Sequence, residues 1–255
     1  MSAATPAGSA AISKPVLAAL IHDTAGALLA PLDSGAADLT ELFGGIALSI
    51  TEATHPEVVA FLQNACGAHI RRHRVGEDII GRARRSAVEL ALEIGAPRVF
   101  HSDFDSVLRW SQTDKAELGA VLARPDPFLI VGRNPDAFAG LPQRLQQTEH
   151  LINHVYALMT GQHADLLAAV RSMSRPAAQA IVEHAKEEGI GNDVEWPLLA
   201  LRLGFAVTHV EVAGISYRTI EEYGAAADSL DAEPLQWIRR IEFAAEQARV
   251  LRKFP

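Results

Sequence analysis

The sequence predicts an α/β domain in which a mainly parallel sheet is flanked by helices and followed by an amphipathic C-terminal helix. Three observations predict it. Short apolar runs of strand length recur at Pro15–Ile21, Ile46–Ile50, Arg98–Phe100 and Phe128–Val131. Between the earlier runs, apolar residues repeat at spacings of three and four, the period of a helix. The first three runs end on His22-Asp23, Thr51-Glu52 and Asp103-Phe104-Asp105, and open α/β sheets bind ligands beyond the carboxyl ends of their strands. Strands that alternate with helices build βα units, and parallel neighbours need such crossovers.

The first run, Pro15–Ile21, reads as a strand after a loose, small-residue tail at 1–13. Leu39–Phe43 reads as a helical turn or loop, and Ile46–Ile50 as the second strand. A helix follows: Thr54 is the expected N-cap, Pro56 suits the first turn, Glu57 complements the dipole, and Val58, Val59, Leu62 and Cys66 form its stripe. Ala68–Arg72 reads as a short strand and Val75–Ile80 as a loop. From Gly81 the pattern is helical through Ala83, Ala87, Leu90, Ala91 and Ile94, with Gly95 and Pro97 as its stop. The strand leading to Asp103 comes next, then a helix at Lys115–Leu122 and the strand at Phe128–Val131. Residues 143–159, 164–171 and 176–188 read as helices. Asn192 or Asp193 is expected to cap another that ends at Gly204. Phe205–Val212 alternates as a half-buried strand, and residues 233–254 as the closing amphipathic helix.

No shift in composition marks a linker across the 255 residues, so residues 14–255 read as a single domain. The formal net charge of −8 lacks the basic footprint of a dedicated nucleic-acid binder or a polybasic membrane anchor. One cysteine, Cys66, excludes an intrachain disulfide and cysteine-rich zinc sites, and suits a reducing compartment. The tail has neither a basic n-region nor an apolar h-region, and no uncharged apolar run reaches ~18 residues. The expected protein has no transmembrane segment and is cytoplasmic. Its oligomeric state is not legible.

Asp103 and Asp105 are the focus. In an extended segment residues i and i+2 share a face, so both carboxylates are expected on one side and Phe104 on the other. Two carboxylates together suit Mg²⁺ or Mn²⁺ with positions left for phosphate oxygens. The competing reading is a turn after a strand, where Asp tolerates the geometry.

Three segments resemble nucleotide-diphospho-sugar glycosyltransferases of the GT-A fold, over roughly residues 15–218. Gly81-Arg82-Ala83-Arg84-Arg85-Ser86-Ala87 before Asp103-Phe104-Asp105 resembles the family's G-x-A-R-N helix and Asp-x-Asp strand. Asp165 through Arg175 is similar to an acceptor-side segment of polyprenyl-phosphate sugar transferases. Asn192–Trp196, closing on Leu203–Val207, resembles the family's Glu-Asp helix and the strand after it. The resemblance implies a Rossmann-like GT-A sheet and a metal-dependent transfer of sugar from a nucleotide-diphospho-sugar donor to an unidentified acceptor. It implies Asp103 and Asp105 as metal ligands, with His209 as a further one. It implies His22, Asp23, Glu52, Arg84 and Asp103 as donor-binding residues, and Asp193 as the general base.

Physical chemistry supports such roles. A divalent ion stabilises the charge on a leaving diphosphate, and a carboxylate near a helix N-terminus is expected to stay ionised. Asp193 also has a simpler reading as an N-cap. The departures are Asn192 where Glu is common, Arg85 for Asn, and no Asp-Asp-Gly-Ser sequence after Ile50. They motivate one alternative, a sugar-nucleotide-binding or interaction domain without turnover. A haloacid-dehalogenase-like phosphohydrolase is another, since an apolar strand followed by Asp-Phe-Asp also resembles that family's nucleophile and acid. His150 and His154 have i, i+4 zinc spacing but no evident third ligand. Arg82, Arg84 and Arg85 are candidates for phosphate contact. Trp110, Trp196 and Trp237 read as packing residues or stacking platforms.

Overall fold

Leucine, alanine and isoleucine at alternating positions of Val16–Ile21 (β1) point to opposite faces of a strand, and each face of β1 enters a different core. Leu17, Ala19 and Ile21 join one apolar cluster; Val16 and Ala18 join the other. A strand buried on both sides reads as a continuous apolar run. The computed structural model describes residues 14–215 and 230–254; the expected tail at 1–13 lies outside them.

Among the described residues seven strands form one sheet in the order β3-β2-β1-β4-β6-β5-β7. The others are β2 (Gly45–Thr51), β3 (His69–His73), β4 (Arg98–Asp103), β5 (Phe128–Arg133), β6 (Val170–Ser174) and β7 (Val207–Val212). β1 pairs parallel with β2 and β4, β2 with β3, and β5 with β7. β6 is antiparallel to both its neighbours, β4 and β5. The architecture is the expected mainly parallel α/β sheet flanked by helices. Among the described residues no helix is long and apolar enough to cross a membrane.

Helices α1 (Leu29–Leu42), α2 (Pro56–Cys66), α4 (Phe104–Thr113) and α5 (Lys115–Leu122) contribute to the first core. Helices α3 (Ile80–Glu93), α7 (Gln143–Thr160), α8 (Arg175–His184), α9 (Asn192–Arg202) and α10 (Pro234–Leu251) contribute to the second. A short α6 spans Pro135–Ala139.

Several expectations are corrected. Residues 164–171 are not helical; Val170 opens β6, whose second residue is the buried Arg171, a residue that hides a strand from a hydropathy pattern. Of the helical turn or loop expected at Leu39–Phe43, the helical alternative holds through Leu42, and what the expectation lacked is the length, since this is the end of a 14-residue helix. α2 is capped by the His55 ring, which accepts from the Glu57 N–H at 3.3 Å, while Thr54 bonds the Thr51 hydroxyl. Neither Asn192 nor Asp193 caps α9; both are inside it, and Gly191 stands at the cap. Leu235, Ile238 and Ile241 of α10 face solvent, and Val250 and Leu251 at its other end are the buried ones.

Candidate active site

The strand order reverses direction at β1, whose neighbours β2 and β4 lie on its two sides, and the crevice between the carboxyl ends of β1 and β4 is where such sheets bind ligands. Two cavities open there. The larger, about 620 Å³, is lined by His22 and Asp23 after β1, Thr51 at the end of β2, His73 at the end of β3, Val75, Gly76 and Glu77 after it, and Asp103, Phe104 and Asp105. The smaller, about 300 Å³, is lined by Arg84, Asp103, Arg133, Glu149, Asp193 and Arg240 among others. Ile80 and Asp103 line both.

The structure brings both aspartates of the Asp-Phe-Asp run to the larger cavity, though by a different local route from the one expected. β4 ends at Asp103, and Phe104 opens α4. Asp105 therefore stands in the first turn of a helix, where its charge is favoured by the dipole, and Phe104 lines the same cavity as its neighbours. The Asp103 side chain is 45% exposed and accepts from Arg84 at 3.3 Å.

Arg84 lines the smaller cavity and is itself buried, at 3% exposure. Besides Asp103 it donates to Asp193 at 2.6 Å and Asn192 at 3.2 Å. Close packing makes this reach possible: a Cβ on Gly81 would lie 2.4 Å from the Gly189 carbonyl oxygen, so the start of α3 lies against the loop before α9. Arg84 thus meets carboxylates from β4 and α9 and does not line the larger cavity. Arg82 and Arg85 turn to the 185–188 loop.

Asp193 departs from expectation in its electrostatics. Burial pushes its carboxyl up, against the pull of Arg84 and then Arg171; the helix dipole does not govern it. Its main chain is held in an unusual way. Pro197, four residues on in α9, has no N–H to give the Asp193 carbonyl, and the buried Arg171 guanidinium supplies that bond at 3.0 Å, with others to the Leu166 and Val170 carbonyls. Burial draws Arg171 down to about 10, opposed by Asp193.

The remaining predicted residues divide. His22 lines the larger cavity and its Nδ1 lies 2.9 Å from the Thr51 hydroxyl. Asp23 lines it too, but its two oxygens accept from the Ala27 and Leu28 N–H groups ahead of α1, so it shapes the loop. Glu52 is exposed and outside both cavities, with Thr51 in the place expected for it. His209 is not brought to the aspartates: it is exposed on the edge strand β7, three places from β4 in the sheet. His150 and His154 stack on the exposed face of α7, and among the described residues no three His, Cys, Asp or Glu side chains gather for a metal. Trp110 and Trp196 are core residues, and Trp237 bonds the Asp231 carbonyl; none lines either cavity.

Sequence reasoning missed Arg133, Glu149 and Arg240. Arg133 donates to Glu149 at 2.6 Å and clasps Asp165 at 2.6 and 2.9 Å, and Arg240 donates to the other Glu149 oxygen at 2.6 Å. Burial opposes the charge on Asp165, but the Arg133 hydrogen bonds and charge hold its carboxyl below the usual range. The available signal is the Gly132-Arg133-Asn134 end of a buried strand, which marks a stop and also a position where ligands bind.

No protein-family model matches the chain, and no curated protein matches it. Solved structures do. Glucosyl-3-phosphoglycerate synthase from Mycobacterium tuberculosis superposes with a TM-score of 0.53 at 14% identity, covering 87% of this chain and 80% of that one. Its complex with uridine diphosphate gives 0.51 at 15%, covering 90% and 80%. Its complex with Mn²⁺, uridine diphosphate and phosphoglyceric acid gives 0.50 at 14%, covering 87% and 78%. At this identity the likeness establishes a shared fold, the GT-A fold of the resemblance.

Proposed function

We propose that the protein is a metal-dependent glycosyltransferase, moving a sugar from a nucleotide-diphospho-sugar to a hydroxyl of an acceptor. Asp103 carries this reading: one carboxylate lines both a cavity of about 620 Å³ and a polar one of about 300 Å³, the sizes of a cofactor-like donor site and a smaller companion. The shared fold supports it, since the synthase it resembles has been solved with uridine diphosphate, Mn²⁺ and phosphoglyceric acid.

Asp103 and Asp105 fit a Mg²⁺ or Mn²⁺ ion: both are hard oxygen donors lining open space, and such ions are held by one or two carboxylates with substrate phosphates completing the shell. When bound, the ion supplies Lewis-acid stabilisation of the departing diphosphate. The chain's own groups do the rest. His22 and Thr51 form one wall of the donor cavity, Arg84 holds Asp103 and Asp193 in fixed relation, and Leu28 and Phe104 give the donor cavity apolar surface. Asp193 is the candidate to accept the acceptor's proton, and its upward shift from burial moves it toward the basicity such a role needs. A second reading, donor binding without turnover, is favoured by one observation: Arg84 occupies the Asp193 carboxylate at 2.6 Å.

Calorimetric titration of uridine diphosphate with and without Mn²⁺ tests the proposal. Binding is expected to require metal, and Asp105→Asn to weaken it at least tenfold, about 1.4 kcal/mol. Absence of binding in the presence of Mn²⁺ removes the proposal. Metal-dependent binding with no sugar transfer selects the second reading, and phosphatase activity without nucleotide binding selects the phosphohydrolase.

A further inference from the structure

The charged lining of the smaller cavity bears on the acceptor, and the inference rests on the glycosyltransferase reading. Among the described residues three guanidiniums, Arg84, Arg133 and Arg240, face three carboxylates, Asp103, Glu149 and Asp193. Every guanidinium already has a carboxylate partner. Arg84 holds Asp193 and Asp103; Arg133 and Arg240 each donate to a different oxygen of Glu149 at 2.6 Å. Asp165 accepts two further bonds from Arg133.

An anionic acceptor meets a conflict here. To take the Arg133 and Arg240 N–H groups that hold Glu149 it must displace that carboxylate, which is 4% exposed, and a buried carboxylate stripped of its partner is strongly unfavourable. If it displaces nothing, it meets three carboxylates of its own sign that offset the three guanidiniums, so the lining offers it no net positive charge. An uncharged hydroxyl compound meets neither obstacle. Each hydroxyl donates one hydrogen and accepts on two lone pairs, so a wall of alternating guanidinium donors and carboxylate acceptors serves it without breaking a pair. Leu141, Leu145 and Ile215 add apolar surface to the same cavity for the C–H face of a ring. We propose that the acceptor is a neutral sugar or polyol held through its hydroxyls, in contrast to a phosphorylated or carboxylated acid. In the transfer the acceptor oxygen forms the new bond to the anomeric carbon, the bond from that carbon to the diphosphate breaks, the diphosphate leaves with the electron pair, and the acceptor proton passes to a base.

The test uses the full chain with saturating uridine diphosphate and Mn²⁺; failure of that loading removes the donor reading and the inference with it, and it is detected before any acceptor is added. Inorganic phosphate and 3-phosphoglycerate are then titrated into the loaded protein. Binding weaker than about 1 mM is expected, and tighter binding overturns the proposal. Release of uridine diphosphate from its sugars is next followed with neutral sugars and polyols and with their phosphates. A rise of about tenfold or more with a neutral acceptor is expected; a larger rise with a phosphorylated one, or no rise with any neutral compound, overturns it. Glu149→Gln removes the charge that Arg240 and Arg133 share, with Arg133 still held by Asp165, and is expected to gain phosphate binding by at least about tenfold. A folded Glu149→Gln protein, judged by its melting curve, that gains none also overturns the proposal. Should the variant not fold, the wild-type titrations and acceptor series decide.

Discussion

Arg84 is held by two aspartates and an asparagine drawn from β4 and α9, and so joins parts of the fold that the chain makes about ninety residues apart. A buried pair of this kind is weak evidence of stability but strongly destabilising to break. Arg84→Met is expected to cost about 3–5 kcal/mol in urea denaturation, and Asp193→Leu added to it to restore part of the loss, because the stranded charge goes with it. Additive costs would rule out that coupling. A second residue titrates where it can be measured. His101, on β4, has its Nδ1 3.0 Å from the Ala18 carbonyl, and burial, then the nearby Arg84 charge, lower its pKa from 6.5 to about 3. Between those values the unfolded chain takes up a proton that the folded chain refuses, so stability present above pH 6.5 is lost as the pH falls. From about pH 7 to about pH 4 the wild type is expected to lose roughly 3 kcal/mol more than His101→Leu; equal losses would show that His101 is charged in the fold.

At the scale of elements, α9 and β6 depend on each other through one carbonyl. Pro197 removes the N–H that Asp193 needs, and Arg171 of β6 replaces it. Arg171→Met is therefore expected to destabilise by several kcal/mol through lost bonds to three carbonyls. Pro197→Ala in that background is expected to recover about 1 kcal/mol, since the new N–H closes the helix bond, whereas no recovery in urea titrations would mean that Asp193 is served otherwise. The same two residues explain what was legible. β1, β2 and β5 are continuous apolar runs, α3 carries a clear period with Gly95 and Pro97 as stops, and α5 is closed off by Pro125 and Pro127, so their types and positions followed from the sequence. β6 did not, because its Arg171 has no place in a hydropathy pattern until α9 is seen to need it. Asp103 and Asp105 were legible as a pair because strand ends are where ligands bind, yet the onset of α4 between them was not. Glu52 and His209 failed because spacing along the chain says nothing of which neighbouring strand a side chain can reach.

At the scale of the molecule, the larger cavity is walled by the ends of β1, β2, β3 and β4 and the turn after β3, chain segments that meet only in the folded state. The unfolded chain keeps its aspartates but not their arrangement, so a ligand that needs both carboxylates and the cavity binds the native form alone. Such a ligand raises apparent stability by an amount set by its concentration over its affinity, about 2.7 kcal/mol at a hundredfold excess. For a chain of this size each kcal/mol moves the melting point by about 2–4 °C. Uridine diphosphate with Mn²⁺ at that excess is expected to raise Tm by roughly 5–10 °C, a chelator to abolish the rise, and Asp105→Asn to cut it by about half or more. The smaller cavity adds a distinguishing control. Glu149 lines only the smaller cavity, so the Tm of Glu149→Gln is expected to fall while the nucleotide-dependent increment stays. Loss of the increment in Glu149→Gln would mean that uridine diphosphate reaches into the smaller cavity, and that the two cavities are one site.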